Sequence, residues 1–229
     1  MRPFATRSRT WRASERRSRL ELRVVEDLAQ AGSGVFLETA PRTVALAGGA
    51  TPRPVYEELA RHPEAWDEVD VFFGDERCVA PEDPASNLAT ANEAVLSRVS
   101  ARVHPMRDCN PDAYERELAS VFGKTVPRFD LIFLGLGSDG HTASLFPGDP
   151  AVEVTDRNVV RVERADHPRL TLTIPVLSAA GLAVFLVSGA EKEEALVALL
   201  AGADIPAARV AAERVIVLAD AAAAGATVS

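Results

Sequence analysis

Four times along this chain a short apolar run stops at a glycine-bearing loop, and that recurrence limits the fold more than any other feature. The runs are TVALA at 43–47 before Gly48, VDVFF at 69–73 before Gly74, FDLIFL at 129–134 before Gly135, and LAVFLV at 182–187 before Ser188-Gly189. Each is strand-length and apolar on both faces, as a parallel strand covered by helices must be. Weaker strands are expected at 158–162, 170–174 and 214–218. Helices are expected from Pro52 to about 60 with Thr51 as cap, from Ser86-Asn87 through about 99, at 111–122, and from about 190. Leu20, Val24, Val25 and Leu28 before Gly32 predict one further helix over 15–31. The alternation defines an α/β fold: a single-domain, doubly wound, mostly parallel sheet with helices on both faces, Rossmann-like in outline.

Bulk properties narrow the function. No apolar stretch reaches the ~18 residues that a membrane span requires. The formal charge is -8. Residues 1–20 carry seven arginines against Glu15, so subtracting that +6 leaves -14 on 21–229 and argues against nucleic acid as a partner. The head, residues 1–19, is read as a basic leader, disordered or a start-site extension, because it lacks the apolar core of a secretory signal; an Arg- and Ser-rich transit segment is the competing reading. Residues 20–229 are then the functional domain. Cys78 and Cys109 are far apart with no metal spacing, which fits a reducing cytoplasm, and Cys78, after Asp75-Glu76-Arg77, reads as a small inert side chain rather than a nucleophile. His62, His104 and His167 each precede proline and read as loop residues.

Ligands of doubly wound sheets bind beyond the carboxyl ends of the strands, so the loops at 48–51, 74–77 and 135–142 are expected to share one pocket. Gly48, Gly49 and Thr51 form an anion-binding turn at a helix start. Asp75 and Arg77 stand on the rim, with Glu76 between them. Gly135-x-Gly137-x-x-Gly140 matches a dinucleotide fingerprint in letters only: Pro147-Gly148-Asp149-Pro150 breaks the chain before the required helix can form. The loop instead presents His141, near an expected helix start that would favour a neutral imidazole able to accept a proton. Lys192, one of two lysines, and Arg169 lie beside strands and could neutralise phosphate. No Gly-x-Ser-x-Gly elbow or His-Glu-x-x-His pair is present.

Taken together, LAGGATP (46–52), FGDERCV (73–79) with Ser86-Asn87, LGLGSDGHTASLFPG (134–148), HPRLTLT (167–173) and VSGAEK (187–192) resemble the 6-phosphogluconolactonase family over roughly residues 20–220. The resemblance implies a carboxylic-ester hydrolase that opens 6-phospho-D-glucono-1,5-lactone in the oxidative pentose phosphate pathway. It needs no cofactor and no metal, and works as a cytoplasmic monomer or weak homodimer. It implies that His141 is the general base, that Asp75 holds the polar network and that Arg77 orients substrate. Gly48, Gly49, Thr51, Arg169 and Lys192 would gather at the 6-phosphate, with Asn87, Gly137, Ser138, Asp139, Gly140 and Thr142 as further substrate contacts. Ala50 stands where the family usually has serine, which removes one hydroxyl from the turn.

Two other functions remain open on the residues. A sugar-phosphate deaminase or isomerase of the same superfamily would usually continue from the histidine as Ile-Ala-Phe-Asn-Glu-Pro, whereas here Thr142-Ala143-Ser144-Leu145-Phe146-Pro147 follows. A non-catalytic sugar-phosphate sensor would need a DNA-binding module, for which residues 1–20 are too short.

Overall fold

The computed structural model describes residues 20–225, so the basic head lies outside the described residues. Seven strands form one parallel sheet: β1 (Leu20–Val24), β2 (Thr43–Leu46), β3 (Asp70–Phe73), β5 (Arg102–Val103), β6 (Leu131–Gly135), β9 (Leu182–Val187) and β10 (Arg214–Ala219), in the order β1-β10-β9-β6-β2-β3-β5. The main helices are α1 (Leu28–Thr39), α2 (Arg53–Leu59), α3 (Asn87–Ala94), α4 (Pro111–Phe122), α5 (Ile174–Ala179), α6 (Glu193–Ala201), α7 (Pro206–Arg209) and α8 (Ala221–Ala224). The period-2 geometry of a strand sorts its residues between two cores. Ala45, Phe72, Ile132, Leu134, Phe185 and Val217 face one; Val44, Leu46, Val71, Phe73, Phe133, Val184 and Leu218 face the other. The second core is closed by Val35 and Phe36 of α1, Val55, Tyr56 and Leu59 of α2, and Ala91 and Ala94 of α3. The five inner strands are therefore apolar on both sides, as their sequences require, whereas the edge strands β1 and β5 carry no fully buried residue.

A second, antiparallel sheet of three strands is added to the expected doubly wound, mostly parallel one. Its members are β4 (Asp75–Arg77), β8 (Arg169–Leu172) and β7 (Val159–Val162), in the order β4-β8-β7. Residues 74–77, expected as a loop, are thus mainly a strand. Gly74 is the junction: its N–H donates to Leu46 O at 2.9 Å in the main sheet, while its carbonyl accepts from Leu172 N at 2.8 Å in the small one.

Two local expectations also fail. Leu20, Leu22 and Val24 alternate rather than follow helical spacing, and residues 20–24 pair with Val215 to Ala219 as a strand instead of continuing a helix. The helix starts later, at Asp27, whose carboxylate accepts from Gln30 N at 3.0 Å, and Gly32 lies inside it. Thr51 does not cap α2; Pro52 occupies the cap position without a side-chain bond. By contrast α4 has the expected bounds, with Asn110 accepting from Ala113 N and Pro111 in the first turn.

The strand order turns at β2 and β6: β3 and β5 extend one way from β2, β9 and β10 the other way from β6. The crevice at such a reversal opens beyond the carboxyl ends of the strands.

Candidate active site

A cavity of about 370 Å³ occupies that crevice, and the three loops expected to meet there do meet. Gly48, Gly49 and Thr51 line it from the end of β2, Asp75 and Arg77 from β4, and Gly137 and His141 from the loop after β6. Asn87, Arg169 and Lys192 line it as well, as does Ala50. Ser138, Asp139, Gly140 and Thr142 do not. Thr142 is fully buried and its hydroxyl donates to Gly135 O at 2.9 Å, which closes the loop from behind.

The end of β2 is fixed from the helix that follows it. The Tyr56 hydroxyl of α2 accepts from Ala47 N and donates to Ala47 O, both at 2.9 Å. This pins the turn just before Gly48. A Cβ at Gly48 would stand 1.8 Å from Asn87 Oδ1, so only glycine allows the asparagine to enter the site.

Asn87 is the hub of a buried polar network. Its Nδ2 donates to the Asp75 carbonyl at 2.8 Å and to Asp75 Oδ1 at 3.1 Å, and its Oδ1 accepts from Arg77 Nη1 at 2.8 Å. The other Asp75 oxygen accepts from Ser144 Oγ at 2.5 Å, so this 7 % exposed carboxylate is satisfied on both oxygens. Ser144 is a participant that reading the residues one by one passed over, although it sits inside the specific GSDGHTASLFPG block. Glu76, between the two site residues, faces away. Burial pushes its carboxyl above the usual range, opposed by bonds from the N–H groups of Asn87, Leu88 and Arg77 and from Ser86 Oγ. It anchors the start of α3 and lines no part of the cavity.

Across β4 and β8 the register sets Arg77 directly opposite Arg169. Like charges in that relation repel. Arg77 bonds Ala85 O and Asn87; Arg169 bonds Asp166 Oδ2 at 2.6 Å. The exposed Asp166 carboxyl is lowered to about 2 by the His167 N–H and by Arg169. Among the described residues, the buried Nε atoms of Arg77 and Arg169 are the side-chain polar atoms left without a hydrogen-bond partner. Two guanidiniums facing each other at the wall make this side of the cavity strongly cationic.

His141 is held by a tight turn and by its neighbour two residues back. Asp139 Oδ1 accepts from His141 N at 3.0 Å and lies 2.6 Å from Nδ1. Burial pushes the Asp139 carboxyl up, but the His141 N–H and ring outweigh it and hold it below its ordinary value. An ionised Asp139 can only accept, so in a neutral ring the proton sits on Nδ1 and the free lone pair is on Nε2. No helix follows His141: residues 142–145 form a turn closed by a Thr142–Leu145 bridge, so the aspartate, not a helix dipole, sets the tautomer. Gly137 is required by this packing, since a Cβ there would lie 2.0 Å from His141 Nδ1. The Phe146 ring supports the imidazole at 4.5 Å, with the Arg164 guanidinium 4.0 Å over the same ring.

The two cysteines are not inert thiols. The loop between β5 and α4 brings Cys109 beside the residue that follows β4, and Cys78 and Cys109 form a disulfide with Cα atoms 5.1 Å apart. His104 is likewise more than a loop residue: it stacks on Phe72 at 4.3 Å and bridges Asp70 at 2.8 Å and Glu117 at 2.6 Å. Among the described residues no group of three or more His, Cys, Asp or Glu side chains is placed to hold a metal ion. No described helix is long and apolar enough to cross a membrane.

A parallel sheet that switches order over a cavity lined by His141 and two facing arginines defines an α/β protein with a cationic pocket at the carboxyl ends of its strands. The family model of glucosamine-6-phosphate isomerases/6-phosphogluconolactonase matches residues 15–218, and the chain belongs to that family. It is 46% identical over 186 residues to a 6-phosphogluconolactonase of Synechocystis sp., covering 76% of this chain and 74% of that one. The crystal structure of 6-phosphogluconolactonase from Thermotoga maritima superimposes with a TM-score of 0.79 at 31% identity, covering 88% of this chain and 99% of that one. The 6-phosphogluconolactonase structure from Trypanosoma brucei gives 0.80 at 28% identity, covering 89% and 97%.

Proposed function

We propose that this protein hydrolyses 6-phospho-D-glucono-1,5-lactone to 6-phospho-D-gluconate, the second step of the oxidative pentose phosphate pathway, with His141 as general base. The observation that carries the reading is the union, around one cavity, of His141, whose Nδ1 is held by Asp139, and the facing pair Arg77 and Arg169. The 6-phosphate rests against the two arginines, with Lys192 and the turn Gly48, Gly49, Thr51 around it. This places the lactone C1 toward His141. Nε2 takes a proton from water as the oxygen attacks C1, and Asp139 stabilises the imidazolium that forms. The tetrahedral oxyanion collapses by releasing the ring oxygen, which receives the proton back from Nε2. Asp75 acts by holding Asn87 and Ser144, not by touching the reacting atoms. Ala50 removes a hydroxyl but keeps its backbone N–H, so phosphate binding is weakened by one hydrogen bond, about 1 kcal/mol or somewhat more for a charged acceptor, and is not lost.

The chemistry is matched to this equipment. A lactone is an activated ester, so no covalent nucleophile is required. General-base assistance of ~10²–10⁴-fold, with positioning by the phosphate, gives a useful gain over spontaneous opening. We take residues 20–229 as the catalytic unit, acting as a cytoplasmic monomer or weak homodimer. The compartment in which hexose phosphates are oxidised supports that placement. The Cys78–Cys109 bond weighs against it, since a glutathione-buffered compartment keeps most thiols reduced.

The test generates the lactone with glucose-6-phosphate dehydrogenase and follows its disappearance with and without the protein. Acceleration over spontaneous hydrolysis supports the reading; none at micromolar protein rejects it. Release of ammonia from glucosamine 6-phosphate would instead favour a deaminase.

A further inference from the structure

The turn that carries His141 is braced from a distant part of the chain. Within the turn, Gly140 N donates to Gly137 O and Gly137 N to His141 O, both at 2.9 Å. Gly140, the link between Asp139 and His141, has φ +84. Its outer side meets Ile205, between α6 and α7, and the start of α7. The Ala207 N–H donates to Gly140 O at 3.1 Å, and the place of a Cβ at Gly140 is filled by Ile205, whose Cβ and Cγ2 lie 2.8 Å from it. α7 also grips the far end of the loop, where Arg209 Nη1 pairs with Glu153 Oε1 at 2.5 Å, while Arg209 Nη2 ties back to Asp204 beside Ile205 at 2.9 Å. Ile205 is partly buried against the core and does not line the cavity.

We propose that Ile205 is a positioning residue for His141, setting the angle between the imidazole and Asp139 by pressing on the glycine that joins them. The inference rests on the reading of His141 as the base. The parts of the site are independent enough to isolate the effect. Arg77 and Arg169 sit on the small sheet, and Lys192 follows β9, so none of the phosphate contacts depends on Gly140. Loss of the brace lets the turn shift by fractions of an ångström, which redirects Nε2 while leaving the anion site as it was. The penalty therefore falls on kcat and spares KM.

The experiment compares wild type, Ile205→Val, Ile205→Ala and His141→Ala as full-length proteins, measuring kcat and KM for lactone hydrolysis with the melting temperature of each. Misplacement of a catalytic group by about 1 Å costs on the order of 100-fold, so the smaller shift expected for Ile205→Ala should lower kcat about 10-fold with KM within about twofold. Ile205→Val, which keeps the Cβ and Cγ2 contacts but loses Cδ1, 3.0 Å from the same place, should restore kcat to within about threefold of wild type while remaining measurably below it. A folded Ile205→Ala protein with wild-type kcat, or with its loss confined to KM, overturns the proposal. Should the alanine variant fail to fold, wild-type kcat in Ile205→Val overturns it equally. Full activity in His141→Ala would reject the base itself; a His141→Ala protein without activity beside an unaffected Ile205→Ala would reject only the brace.

Discussion

Arg77 and Arg169 stand directly opposite each other across two antiparallel strands, and each keeps a buried Nε–H with no partner. Protein stability alone gives no reason for that pairing. On the proposed reading, the substrate phosphate beside them offsets that repulsion. Replacing Arg169 by glutamine should raise KM by about 10–100-fold, the equivalent of about 1.5–3 kcal/mol for a hydrogen bond to a charged group, with a much smaller change in kcat. The melting temperature of the free protein should not fall, because the substitution also relieves the repulsion. Kinetics and thermal melts of Arg169→Gln check both halves; an unchanged KM removes Arg169 from the anion site.

Asp139 should matter to the rate and not to binding. Asp139→Asn replaces the charged acceptor at Nδ1, so the imidazolium of the transition state loses its counter-charge and kcat should fall about 10–100-fold with little change in KM. The same pair makes a pH statement. The Asp139 carboxyl is held below its ordinary value in the folded protein. Its contribution to stability is therefore present above the unfolded pKa of about 3.9 and is lost as pH falls through the lower folded value. Wild type and Asp139→Asn should differ in melting temperature at pH 7 and converge toward pH 3. A constant gap across that range contradicts the pairing.

Asp70 allows the same reasoning away from the site. Its carboxyl is lowered by the Arg102 hydrogen bond first and also by His104, against the opposing effect of burial. It ties β3 to β5 at the sheet edge. Asp70→Asn should lower the melting temperature at neutral pH, and the difference should vanish in acid, because this contribution is also lost as pH falls through a depressed pKa. Lactonase activity at 25 °C should be unchanged.

Reduction of Cys78–Cys109 should cost stability. The bond closes a loop with a sequence separation of 31 residues. Chain-entropy reasoning assigns such a loop about 3–4 kcal/mol, or roughly 10 °C in melting temperature for a chain of this size. Thermal melts with and without a dithiol reductant measure it, with thiol titration to show that the bond has opened. An unchanged melting temperature after complete reduction contradicts the expectation.

Much of this site was legible because its loops follow strong strands. The runs before Gly48, Gly74 and Gly135 could only be buried strands, and burial on both faces made the sheet parallel, so the loops had to converge. What escaped was information carried across the sequence. Residues 74–77 look like a charged loop until Leu170 and Thr171, nearly a hundred residues later, are known to pair with them. The disulfide needs the β5–α4 loop to return to β4, which no spacing of Cys78 and Cys109 reveals. The strand at 20–24 reads as helix because Val25 and Leu28 extend its apolar pattern at the wrong period; only the partner β10 decides. Asp139 was recognised as part of the loop, but its bond to Nδ1 depends on a turn that only three dimensions display. Ile205 has no local signal at all.

The central claim is that His141 Nε2 activates water on a phosphosugar lactone held by the two arginines. The most direct measurement is the rate of lactone disappearance, generated in place by glucose-6-phosphate dehydrogenase, for wild type and His141→Ala at equal concentration, with binding of 6-phosphogluconate followed in parallel. The account predicts that His141→Ala loses at least about 100-fold of the catalysed rate while 6-phosphogluconate still raises its melting temperature. A His141→Ala protein that hydrolyses the lactone at the wild-type rate would contradict it.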